Sequence, residues 1–147
     1  TPEWFYRGEA EVVELDEQTL GQLLPNEWRP SGAFLRGGRV TGDGIVLMPG
    51  GELWMRVEGL VTRMIGHVEL AVPGSWTGDL PVLRSMWFAG CRLEVFTDAE
   101  VRGEDGRLEF LTWCAEPGGW LVIGLEPAAK APPVRVRIDT VQASPIQ

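Results

Sequence analysis

At 147 residues and a formal net charge of −8, the chain has the length of one domain and lacks the cationic footprint that nucleic acids and anionic membranes require. Its 7 Trp and 5 Phe supply large apolar bodies, while 19 Gly and 11 Pro argue against a helical bundle. They favour many short strands joined by tight turns. Lys130 and Asn26 are the sole lysine and asparagine, so arginine carries nearly all the positive charge. A GC-rich genome and selection for heat resistance both account for that bias.

Three consecutive aromatics, Trp4, Phe5 and Tyr6, fall in residues 1–8. This segment is expected to be either an edge strand packed on the core or an arm that docks on a partner. Residues 9–141 are expected to form a single β domain and residues 142–147 a frayed tail. Glu9 to Leu15 reads as a strand. Asp16 reads as the N-cap of a short helix over residues 17–24, with Leu20, Leu23 and Leu24 on one face and Pro25 as its stop.

A strand is expected from Ala33 to Val40, turning through Gly42-Asp43-Gly44 into Ile45 to Met48. Pro49-Gly50-Gly51 reads as another turn. The next stretch has the clearest pattern. Leu53, Met55 and Val57 alternate with Trp54, Arg56 and Glu58, and Met64, Val68, Leu70 and Val72 alternate with Arg63, His67 and Glu69. That period of two predicts a hairpin of two strands, folded at Glu58-Gly59, with one buried and one wet face.

Pro73 to Pro81 reads as a surface loop with Trp76 at its middle. A second hairpin is expected between residues 87–96 and 107–114, turning through Gly103-Glu104-Asp105-Gly106. In that register Cys114 faces about Val95 rather than Cys91, so two reduced cysteines are expected rather than a disulfide. Leu121-Val122-Ile123 is apolar on both faces and predicts a central strand. Residues 126–133 read as a Pro-rich linker, and Val134 to Asp139 as a strand that closes or edges the sheet. The fold class is therefore all-β: an antiparallel sandwich or barrel of about eight to ten short strands, with one short helix near residues 16–24.

No catalytic motif stands out. His67 is the only histidine, and alternation puts it on the wet face beside Arg63 and Glu69, away from any triad chemistry. Cys91, Cys114 and His67 lack zinc-ligand spacing, and Asp98, Glu100, Glu104 and Asp105 lack the register of a calcium loop. Residues 37–42 are glycine-rich but open no helix, so they read as a turn and not a phosphate cradle. Glu94 and Glu109 could approach across the second hairpin, though both sit where a polar outer face is expected. No metal and no cofactor is implied. The balance leans away from an enzyme.

What remains is surface. Trp4-Phe5-Tyr6-Arg7-Gly8, the turn Pro49-Gly50-Gly51 and the Pro-rich Ala131-Pro132-Pro133 together resemble the small all-β capsid decoration (cement) proteins of tailed bacteriophages. The resemblance implies a non-enzymatic virion protein, a homotrimer on capsid vertices, whose terminal arms contact a protein lattice. Trp4, Phe5, Tyr6 and Trp76 are then the candidate partner contacts. A carbohydrate-binding sandwich is the first alternative, with Trp28 and Trp54 as stacking platforms. A barrel that binds or cyclises a hydrophobic small molecule in an internal cavity is the second.

Overall fold

The structure is a computed structural model that describes residues 12–24, 28–42, 44–58, 60–71, 80–89, 92–101, 107–111, 118–127 and 132–144. Trp4, Phe5, Tyr6, Trp76, Cys91 and Cys114, with the turn at residues 103–106, lie outside the described residues.

The fold is all-β with one short helix. In chain order the elements are β1 (Val12–Glu14), α1 (Glu17–Leu23), β2 (Gly32–Thr41), β3 (Gly44–Val57), β4 (Leu60–Leu70), β5 (Val82–Ala89), β6 (Arg92–Glu100), β7 (Arg107–Leu111), β8 (Gly119–Leu125) and β9 (Val134–Ser144). They form a single nine-stranded sheet whose main path runs β6-β5-β8-β3-β9-β4-β7, with β2 on β3 and β1 on β2. Every pairing is antiparallel. The path curls until β6 lies near β7, yet no ladder joins these two strands among the described residues and the sheet is not closed.

Alternation sorts the side chains into two clusters on opposite faces. The larger one fills the inside of the curl with Leu35, Leu47, Leu53, Met55, Met64, Val68, Leu121, Ile123, Val136 and Ile138, all fully buried. Each such side chain contributes roughly 2 kcal/mol on removal from water. The helix adds Leu20, Leu23 and Leu24 to this cluster. It starts where the sequence indicates: the Asp16 carboxylate accepts from the Thr19 N–H at 2.8 Å, which holds the Asp16 carboxyl below its ordinary pKa. Its end is met by Arg29, whose guanidinium donates to the Leu24 carbonyl at 2.8 Å.

The topology corrects several expectations. Residues 50–57 and 60–70 are both strands, but they do not form a hairpin. β9 pairs with β4 along its length and with β3 at Ile45 to Leu47, so it separates them. β9 is consequently an interior strand, not an edge. Its outward charges are tolerated because they pair with neighbours: Arg135 meets Glu69 across the β4–β9 ladder at 2.6 Å, and Arg137 meets Asp139 at 3.0 Å. β9 also continues through Gln142, Ala143 and Ser144, which pair with Arg63, Val61 and Leu60, so residues 142–144 belong to the sheet rather than to a tail. The second expected hairpin is likewise redistributed. β5 folds back on β6, while β7 pairs with β4.

Pro49-Gly50-Gly51 is not a turn but a bend inside β3. Between Arg36↔Glu52 and Gly38↔Leu47 the β2 chain advances two residues while β3 advances five. The excess is absorbed by glycines. Gly37 and Gly50 have φ of +67° and +82°, a region that L side chains avoid. A Cβ on Gly51 would stand 2.3 Å from the Gly37 carbonyl oxygen. Past this bend β3 exchanges its partner β9 for β8.

Gly51→Ala should therefore lower unfolding stability by about 3 kcal/mol, in the range of overpacked core substitutions. Gly32→Ala, where a Cβ meets nothing within 4 Å, should stay within about 0.5 kcal/mol of the parent. Chemical denaturation midpoints measure both, and equal losses in the two variants contradict the assigned role of the bend.

Candidate functional site

The outer face of β2, β3, β8, β5 and β6 is built from three cross-strand rows. Directly opposed residues share a face, so the rows can be read from the registers. The first runs Arg36, Glu52, Gly124, Arg84, Asp98. The second runs Phe34, Trp54, Val122, Met86, Val95, and the third Gly32, Arg56, Trp120, Phe88, Leu93. One charged row thus borders two apolar ones.

The apolar rows pack tightly at their centre. Trp54 meets Phe88 and Trp120 edge-on, at ring centroid distances of 5.5 and 6.0 Å, and Phe34 tilts against Trp120 at 5.7 Å. Such pairs add roughly 0.5–1.5 kcal/mol beyond burial. The Arg56 guanidinium lies 5.8 Å from the Trp120 ring centre. Trp54 does point outward, as the alternation predicts, but only 2% of it is exposed. It therefore presents no free ring face for stacking a sugar. Trp28 is half-buried against the inner cluster. Trp87 and Trp120 are buried too, so among the described residues no tryptophan is exposed.

The charged row has a gap. Gly124 stands between Glu52 and Arg84 and contributes no side chain. A pocket of about 190 Å³ opens there, walled by Arg36, Glu52, Arg84, Met86, Glu126 and Pro127. Its arginines are paired within the fold. Arg84 reaches Asp98 at 2.9 Å and Glu126 at 3.5 Å, and Arg36 reaches Glu52 at 3.5 Å. Burial pushes the Glu52 carboxyl above its ordinary value, and the neighbouring Trp54 indole and Arg36 guanidinium offset only part of that. The pocket offers hydrogen-bonding groups of both signs and no pairing of a nucleophile with a base.

At the free end of the apolar rows the situation reverses. Leu93 and Val95, on β6, are 53% and 52% exposed, although their neighbours Phe88 and Met86 are packed. On the opposite face of the same strand Arg92 and Glu94 are solvent-facing and pair at 3.0 Å. Glu94 and Glu109 lie on β6 and β7, which no ladder joins among the described residues, and Glu109 is engaged with Arg63. His67 is exposed on β4, as expected from alternation. Among the described residues no three of His, Cys, Asp and Glu are grouped as metal ligands.

The contacts expected from sequence are Trp4, Phe5, Tyr6 and Trp76, with Trp28 and Trp54 as stacking platforms, and Leu93 and Val95 are not among them. The available signal was the alternation Arg92, Leu93, Glu94, Val95, which becomes informative only once β6 is known to lie at the end of the sheet path. Comparison with known proteins finds no family model that matches this chain, and no curated protein matches it significantly.

Glu52 also makes a pH prediction. A carboxyl with a raised pKa in the fold favours the folded state while protonated. Relative to Glu52→Gln, the parent should lose stability as pH rises from the ordinary value of 4.5 through the raised one, and the difference should then level off. Denaturant unfolding of both proteins from pH 4 to 8 (about four units, spanning the usual carboxyl range) checks this. A difference that does not fall with pH contradicts the burial of the charge.

Proposed function

We propose that the protein is a non-enzymatic assembly subunit, which associates with itself and seats on a larger protein lattice in the manner of a capsid decoration protein. The observation that supports this reading is the end of the sheet path at β6, where two apolar rows finish in the exposed Leu93 and Val95 and, among the described residues, no further strand is paired. An unpaired strand edge with apolar side chains is a template for protein contact, and proteins with no use for such an edge cover or charge it. Trp4, Phe5, Tyr6 and Trp76 are the further lattice contacts in this reading. The inner curl is filled by side chains and the Gly124 pocket is lined by charge, so the described residues give less support to a carrier of hydrophobic molecules.

The test uses the immobilised protein and an extract of its source cells, with captured proteins identified and then confirmed by co-sedimentation as purified components. A Leu93→Asp/Val95→Asp variant should keep its circular dichroism spectrum and a melting temperature within about 4 °C of the parent, because both sites are exposed. It should lose the captured lattice protein or its own self-association. Deleting residues 1–7 should likewise leave the fold intact and abolish capture. A variant that retains every association, or a truncated chain that unfolds, overturns the corresponding contact.

A further inference from the structure

We propose that the Gly124 pocket binds a small zwitterion, an α-amino acid with an apolar side chain, whose ammonium group sits between Glu52 and Glu126 and whose carboxylate meets Arg84. The site is independent of the assembly reading, which rests on Leu93 and Val95.

The order of charges along the row points to such a ligand. Arg36 and Glu52 precede Gly124, and Arg84 and Asp98 follow it, so the signs alternate except at the glycine. Glu52 and Arg84 oppose Gly124 from its two sides, and no ion pair joins them among the described residues. Adjacent strands are about 4.8 Å apart, so with β8 between them the two backbones stand roughly 10 Å apart. A molecule with an ammonium at one end and a carboxylate at the other restores the alternation across that gap.

The ion pairs around the pocket are unequal. Charge-assisted N–H···O contacts ordinarily measure about 2.7–2.9 Å. Arg84 meets Asp98 at 2.9 Å, but Arg36 meets Glu52 and Arg84 meets Glu126 only at 3.5 Å. The carboxylates that wall the pocket are thus the loosely held ones. Glu52, Asp98 and Glu126 also outnumber Arg36 and Arg84, and burial already works against the charge on Glu52. Glu126 lies two residues beyond Gly124, diagonal to Glu52 across the β3–β8 ladder. An ammonium between these two carboxylates supplies the missing positive charge. Arg84 then exchanges its long contact with Glu126 for the ligand's carboxylate and keeps Asp98.

Size and lining set the ligand class. The volume of about 190 Å³ is below the roughly 300 Å³ at which pockets for drug-sized molecules begin, and it suits a single amino acid. Met86 and Pro127 give it an apolar wall for a short side chain. Every residue that walls it is described. A Cβ on Gly124 would stand 2.7 Å from the Met86 methyl carbon, so any side chain at this position takes up the space the ligand needs.

The experiment is isothermal titration of the full chain at neutral pH with glycine, L-alanine, L-valine, L-leucine and L-methionine. At least one should bind with Kd below about 1 mM. For the tightest of them, the decarboxylated amine and the deaminated acid should each bind roughly tenfold more weakly or worse, because each lacks one charge-assisted contact. Glu52→Gln and Arg84→Gln should each weaken binding by a similar factor, and Gly124→Ser should abolish it. Glu94→Gln, on β6, should bind like the parent. Circular dichroism spectra that match the parent's separate lost binding from lost folding, and if a variant unfolds, the analogue comparison on the parent decides alone. Failure of all five amino acids to bind overturns the proposal. So does an amine or an acid that binds as tightly as the amino acid, or a folded Glu52→Gln chain that binds undiminished.

Discussion

The architecture depends on a close approach of two backbones. Where β2 and β3 cross at Gly37 and Gly51, the space between the chains admits no Cβ, and Gly37 and Gly50 turn through a region of φ that only glycine enters freely. The bend lets a single 14-residue strand belong to two parts of the sheet. Its first half lies beside β9 and its second beside β8. The bend falls between the segment of β3 that pairs with β9 and the segment that pairs with β8.

That curl divides the molecule into two environments with different tasks. Inside, aliphatic side chains from β2, β3, β4, β8 and β9, with three leucines of the helix segment, make a dry core. Outside, β2, β3, β5 and β8 carry an aromatic layer centred on Trp54 and Trp120, beside a row of paired charges. A sheet buried on both faces over its centre is stiff, because side chains on either side resist changes in twist and register. The outer layer thins toward β6, where apolar groups meet water.

The charged row shows how the fold keeps polar groups harmless near that layer. Arg36 pairs with Glu52 and Arg84 with Asp98 across strands, and Arg84 also reaches Glu126 just past β8, so the pocket left by Gly124 is ringed by ion pairs. Exposed pairs of this kind contribute little net stability. Their role is to hold register and to mark the border of the apolar rows. Arg92 and Glu94 differ from them, because their pair lies within one strand and at the sheet's end.

Local pattern determined the strands themselves. The alternations Leu53-Met55-Val57 and Met64-Val68-Leu70, the doubly apolar Leu121-Val122-Ile123 and the Asp16 cap are short-range features, and each names an element and its buried face. Hairpin partners were not legible, because sequence adjacency suggests pairing and carries no information about a later strand inserting between neighbours, as β9 does between β3 and β4. The Pro-Gly-Gly stretch read as a turn because its composition is that of a turn. Only the facing Gly37 makes it a bend within one strand. Trp54 read as a ligand platform because alternation gives a direction and not an exposure, and exposure was set by Trp120 and Phe88 from distant strands. Leu93 and Val95 stayed unremarked for the converse reason: whether an alternating strand is covered or bare depends on its place in the sheet order, which long-range packing decides.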